Sequence, residues 1–192
     1  VWTARYIDPL GTRRLIGSLL HGSMANALPM ALGAQVAYPD RQVVSVSGDG
    51  GLSMLLGELV TARMHNLPLK VIVFNNSTLG MVKLEMLVNG LPDFQTDVPD
   101  TNYADIARAI GFHAERVEDA SRLEDAYREA FAAPGPALVE VITDPNALSL
   151  PPAITGGQVV GFATAMSKIV LNRGIAEAFS MATSNMRNIP RL

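Results

Sequence analysis

The sequence predicts an α/β fold in which a parallel sheet is flanked by helices and a helical C-terminal tail follows. Three observations carry that expectation. Runs at 41–47, 69–74 and 137–142 are short and largely apolar, as strands buried on both faces are. Between them, apolar residues recur at helical spacing. The strands alternate with those helical stretches, an order that builds a sheet covered on both sides.

Residues 23–36, rich in Ala and Met, read as a small-residue helix that Tyr38-Pro39 breaks. The strand at 41–47 follows. Leu52, Leu55, Leu56, Leu59 and Val60 then mark a helix ending near His65-Asn66-Leu67-Pro68. The second strand, 69–74, is rich in β-branched residues. A loop is expected over 75–80 and a helix over 81–87. Further on, 103–110 reads as a helix, 114–117 as a strand and 121–132 as a helix. Ser121-Arg122-Leu123-Glu124 has the form of a capping box opening that last helix. The run at 137–142 is the final strand, and no internal repeat is visible.

The chain has 192 residues, of which 48% are hydrophobic and 17% charged. That is enough for a folded domain with a real core. A net charge of −3 gives no basis for a nucleic-acid partner. The absence of Cys excludes disulfides, thiolate metal sites and a cysteine nucleophile, and fits a cytoplasmic protein. No apolar run approaches the ~18 residues that span a bilayer. The first residue is Val1, and 1–14 reads like the middle of something longer, so a fragment is expected.

Charge divides at Pro151-Pro152. Residues 1–150 hold eleven basic and seventeen acidic side chains, whereas 151–192 hold Lys168, Arg173, Arg187 and Arg191 against Glu177 alone. A domain over 1–150 and a tail over 151–192 are therefore expected. In the tail, Val159, Val160, Phe162, Ala163, Met166, Ile169 and Val170 fall on one helical face. A basic, amphipathic segment points to peripheral membrane contact through 157–192. Docking of that face on the body is the alternative.

Two strand ends carry the chemistry, because ligands of such sheets bind beyond the carboxyl ends of the strands. The first is Gly48-Asp49-Gly50-Gly51, and the second is Asn75-Asn76-Ser77-Thr78-Leu79-Gly80. Glycines let the backbone approach a phosphate and leave N–H groups at a helix start, where an anion is favoured. A carboxylate there repels a bare phosphate but suits a hard cation lying between the two. Mg2+ prefers oxygen ligands and keeps substrate phosphates in its shell. Besides Asp49, Asn76 and Thr78 are suitable sources of side-chain and main-chain oxygen. Taken alone, Asp49 is a helix N-cap in a glycine turn. The Asn pair turns the balance toward a Mg2+–diphosphate site.

GDG followed by NN resembles the diphosphate-binding motif of thiamine diphosphate-dependent enzymes. That resemblance implies their fold, and it makes Asp49, the Asn76 side chain and the Thr78 main-chain oxygen the Mg2+ ligands. Gly50, Gly51 and Ser77 would touch the diphosphate. Gly48, Leu79, Gly80, Met81 and Val82 complete the cofactor-binding set.

The wider segments HGSMANALPMALGAQ, PDRQVVSVSGDGG and NNSTLGMVKLEM resemble pyruvate oxidases, above all the quinone-reducing pyruvate dehydrogenases that carry FAD. Gly22, Ser23 and Met24 would then contact the aminopyrimidine, with Met24 wedging the cofactor into its bent form. Val82 and Glu85, with Met81, would line the substrate pocket, although an aromatic is common in the family where Met81 stands. The implied activity is oxidative decarboxylation of pyruvate, a 2-keto acid, with electrons passed to FAD and then quinone, in a homo-oligomer. The family's pyrimidine-binding and FAD domains do not fit in 192 residues. The chain is therefore expected to be the diphosphate-binding third, inactive alone, with FAD bound mainly outside it.

Two alternatives remain: an acetolactate synthase-type carboligase, and a non-catalytic module that binds thiamine diphosphate. A dinucleotide-binding fold is not supported, because no GxGxxG opens a βα unit. Away from the motif the readings are plain. Met24 is otherwise core filling, Glu85 a solvated helix acid, His21 a hydrogen-bonded loop residue and Glu58 surface or structural. His65 and His113 have no partners nearby in sequence, and Trp2 and Tyr103 read as packing residues.

Overall fold

The computed structural model describes residues 2–149 and 154–186. In chain order its elements are α1 (Trp2–Tyr6), α2 (Ala27–Ala37), β1 (Val44–Gly48), α3 (Asp49–Met54), α4 (Glu58–Met64), β2 (Lys70–Asn75), α5 (Gly80–Val88), α6 (Tyr103–Ile110), β3 (His113–Val117), α7 (Leu123–Ala132), β4 (Ala137–Ile142), α8 (Gly156–Arg173) and α9 (Ile175–Asn185). They fall into two units, one of residues 2–76 and 100–143, the other of 77–99 and 144–192.

The first unit carries a four-stranded sheet, all parallel, in the order β1-β2-β4-β3. Parallel neighbours need crossovers longer than a hairpin, and helices supply them here. Val71, Val73 and Leu138 turn to one face, where they cluster with Leu28 and Leu32 of α2, Leu59 and Ala62 of α4, and Ala104 and Ala107 of α6. Ala137, Val139 and Val117 cluster instead with Ala126 and Ala130 of α7. Leu59 and Leu69 are wholly inaccessible, and each such side chain contributes about 1.5–3 kcal/mol through burial. The predicted parallel α/β class is observed.

Several boundaries differ from the expectation, each for a local reason. The helix expected from residue 23 starts at Ala27, because Ala25 takes a left-handed φ of 65° and turns the chain first. The helix expected through Leu52 and Val60 is two helices, since α3 ends at Met54 and α4 starts at Glu58. The capping box at Ser121 is not formed. Asp119 accepts from the Ser121 amide at 2.9 Å and closes a 3-10 turn over Ala120–Arg122, so α7 begins only at Leu123.

In the second unit, Leu84 and Leu87 of α5 pack with Leu148, with Ala165 and Ile169 of α8, and with Met181 of α9. Any side chain at Gly161 would run into the Val88 carbonyl, so a glycine lets α8 lie against the end of α5. Thr155 and Gln158 form a reciprocal capping box at the start of α8. Asn185 ties α9 down, accepting from Leu148 N at 2.8 Å and donating to the Asn146 carbonyl at 2.7 Å. The apolar face predicted for this tail is rotated. Phe162, Met166 and Ile169 pack inward, whereas Val159, Val160, Ala163 and Val170 are exposed. Gly174, at φ 93°, separates α8 from α9. The Pro151-Pro152 boundary, Arg187 and Arg191 lie outside the described residues. Among the described residues, no helix is long and apolar enough to cross a membrane.

Candidate functional site

Gly48 at the end of β1 stands opposite Phe74 near the end of β2. Asp49 follows Gly48 directly, and Asn76 lies two residues beyond Phe74. The two residues predicted to hold a metal therefore leave the sheet from the carboxyl ends of adjacent parallel strands. Gly48, not Asp49, is the N-cap of α3; Asp49 is the first helical residue and only 3% exposed. The plain capping role is thus taken by another residue. Because α3 has six residues, it adds little of the field that a longer helix offers an anion.

Gly50 is buried, and Gly51 lies beside the turn that precedes α2. A Cβ at Gly51 would sit 3.7 Å from the Ala25 amide nitrogen. The segment Gly22, Ser23 and Met24 is thereby brought next to the glycine turn. Gly22 takes a φ of 58°, and Met24 is about half exposed, which removes its reading as core filling.

Behind these turns lies a buried polar network. Glu140, in the middle of β4, is wholly inaccessible. Its carboxylate accepts from Asn75 Nδ2 at 2.7 Å, from Arg116 Nη1 at 3.0 Å and from the Ala104 amide at 2.9 Å. Asn75 also donates to the Thr101 carbonyl at 3.1 Å. Tyr103 is more than a packing residue: its hydroxyl donates to the Asp49 carbonyl at 3.3 Å. Burial pushes the Tyr103 hydroxyl pKa up, and the Asp49 charge adds to that, against hydrogen bonds with Thr101 and Ser53. For Arg116, burial alone would lower the pKa. Hydrogen bonds to Glu118 and Asp100 and the Glu140 charge outweigh it and hold the guanidinium above its usual range. Sequence reasoning missed this network. The available signal was an acid inside the apolar run Ala137-Leu138-Val139-Glu140-Val141-Ile142.

In the other unit, Ser77 adopts a left-handed φ of 52°, an uncommon conformation for a serine. The Thr96 carbonyl accepts from the Thr78 hydroxyl at 3.1 Å and from the Leu79 amide at 2.7 Å, which fixes the start of α5. Gly80 opens α5, and Met81, Val82 and Glu85 all lie on its exposed side.

The donor set fits a hard cation. Among the described residues, no group of three or more His, Cys, Asp and Glu side chains is placed to hold a metal ion. By chemistry alone, the Asp49 carboxylate and the Asn76 side-chain amide offer oxygen donors of the kind that Mg2+ takes together with phosphate and water oxygens. An unrelated cleft of about 420 Å³, lined by Arg63, Asn66 and His113, opens at the amino ends of the strands.

Residues 1–141 match the family model described as thiamine pyrophosphate enzyme, C-terminal TPP binding domain. A Bacillus subtilis (strain 168) protein, YdaP, carries thiamine pyrophosphate in its provisional name. It is 36% identical over 168 residues, covering 88% of this chain and 29% of its own length. The mitochondrial acetolactate synthase catalytic subunit of Aspergillus candidus is 37% identical over 158 residues, covering 82% of this chain and 23% of that one. Among solved structures, the thiamine diphosphate-dependent 4-hydroxybenzoylformate decarboxylase of Rhodococcus jostii RHA1 superposes with a TM-score of 0.59 at 33% identity. That match covers 64% of this chain and 24% of the decarboxylase. The chain thus spans less than a third of the length of these relatives.

Proposed function

Because the chain belongs to the thiamine pyrophosphate enzymes, as their C-terminal cofactor-binding domain, we propose that it is the diphosphate-binding part of an acetolactate synthase-type carboligase. The observation that carries the reading is the placement of Asp49 and Asn76 beyond the carboxyl ends of two adjacent parallel strands. In this reading they hold Mg2+. The main-chain oxygen of Thr78, two residues on in the chain, is proposed as a third ligand. Gly50 and Gly51 leave room for the diphosphate, and Gly22, Ser23 and Met24 meet the aminopyrimidine. Bound thiamine diphosphate supplies the carbon nucleophile and electron sink needed to break and make bonds beside a carbonyl. Met81, Val82 and Glu85 are the candidates for contact with a 2-keto acid.

Carboligation is favoured over pyruvate oxidation because acetolactate synthases recur among the relatives at 30–37% identity. FAD binding and electron transfer to quinone rest on the resemblance of 21–35, 39–51 and 75–86 alone. Assembly with other chains draws support from the segment before α2, where Leu19 and Leu20 are 90% and 95% exposed. Peripheral membrane contact has less behind it, since Phe162, Met166 and Ile169 are spent on packing within their own unit.

The protein that contains this chain, supplied with pyruvate, thiamine diphosphate and Mg2+, is expected to release acetolactate and carbon dioxide together. Carbon dioxide released with reduction of a flavin, and without acetolactate, would restore the oxidative reading.

A further inference from the structure

We propose that Glu140 is a positioning residue that holds Asp49 and Asn76 in mutual register, through Asn75 on one side and the start of α6 on the other. The inference rests on the cofactor reading above. A carboxylate in the middle of a buried strand carries a desolvation cost of several kcal/mol, so its partners show what it holds. Two of the partners lead to a predicted metal ligand, one in a single step and the other in two. Asn75, which donates to Glu140 at 2.7 Å, is bonded covalently to Asn76. Ala104, whose amide donates at 2.9 Å, follows Tyr103, whose hydroxyl reaches the Asp49 carbonyl.

The third partner does not account for the acid. Arg116 is already paired with Asp100 at 3.0 Å and with Glu118 at 3.0 Å, so Glu140 is not needed to neutralise it. Nor does the strand need an acid, because a well-packed apolar side chain can replace a buried ionic group at little cost in stability. A change at Glu140 shifts the Asn76 turn and the Tyr103 contact together, and so alters the spacing of the two ligands.

Thiamine diphosphate titrated into the 192-residue chain in Mg2+, followed by calorimetry, tests this, with melting temperatures measured without cofactor. Glu140→Gln turns an amide N–H toward one of the donors that the carboxylate accepts from, and affinity is expected to fall about 10- to 100-fold. Tyr103→Phe removes one hydroxyl and is expected to weaken binding about 2- to 10-fold. Lys70→Met removes buried hydrogen bonds at the other end of the strands, so it should lower the melting temperature and leave affinity unchanged. An equal loss of affinity in Lys70→Met reduces the effect to stability and overturns the proposal. If Glu140→Gln does not fold, Tyr103→Phe decides, and unchanged affinity there overturns it. Wild-type binding in both site variants, with binding lost in Asp49→Asn, removes the positioning role alone. Equal behaviour of wild type and Asp49→Asn, whether both bind or neither does, removes the cofactor reading and this proposal with it.

Discussion

The two ends of the sheet bury polar groups of opposite kind. At the amino ends the buried groups are donors aimed at carbonyls. Lys70 Nζ donates to Ala133 and Gly135, both at 2.7 Å, and Gln35 Nε2 reaches the carbonyls of Tyr38, Pro39 and Arg41. Those contacts close chain turns. Toward the carboxyl ends two acids are buried, Asp49 just beyond β1 and Glu140 within β4, beside the Asn75 amide that donates to Glu140. A buried acid costs more than the turn it sits in requires, so this is the end where the fold gives up stability for something else. In the cofactor reading proposed above, a cation and the diphosphate it carries would supply that reason.

The comparison breaks most sharply at Asp49. Asp49→Asn keeps the shape but removes the charge and replaces one acceptor oxygen with an N–H donor. Affinity for thiamine diphosphate in Mg2+ is expected to fall by at least about 100-fold, the upper range for residues one shell further out. The melting temperature without Mg2+ should stay the same or rise, because a buried charge is gone. Lower stability with unchanged affinity would return Asp49 to a structural role. The opposite end should answer in the opposite way. Burial already lowers the Lys70 pKa, and Lys70→Met leaves two carbonyls without their donor. A loss of about 1–3 kcal/mol in denaturant unfolding follows, with cofactor affinity untouched.

Much of the sheet end was legible because its signals are local. The run 137–142 is β4 residue for residue, and 69–74 misses β2 by one position. Asp49 and Asn76 were legible together, since their strands pair side by side. What stayed hidden depends on tertiary partners. An acid in an apolar strand reads the same whether it faces water or a buried Asn, and Asn75, Ala104 and Arg116 come from three other elements or turns. In Leu52–Val60 the apolar spacing continues across the break between α3 and α4, and the one local signal of it is Gly57, the N-cap of α4. The tail's inner face was misread for a related reason. Ala165 is small enough to be overlooked, yet it is wholly buried, while the bulkier Val160 is two-thirds exposed.

Asp119 supplies the finest test of the contrast, because it too stands just beyond a strand's carboxyl end. Unlike Asp49 it is exposed, and its carboxylate accepts from the Ser121 amide, which holds its pKa below the usual 3.8. A carboxyl whose folded pKa is depressed stabilises the fold above its unfolded pKa, and the contribution is lost as pH falls through the folded one. Asp119→Ala should therefore lower the melting temperature at neutral pH by less than Lys70→Met does, since its partner stays in reach of water. The gap from wild type should close once the pH is below the carboxylate range, and cofactor affinity should not move. Thermal melts from neutral pH down to about 3, run beside the calorimetry, read both quantities. A loss of affinity in Asp119→Ala would mean that any acid at this end of the sheet serves the ligand, and the distinction between a buried acid and an exposed cap would fail.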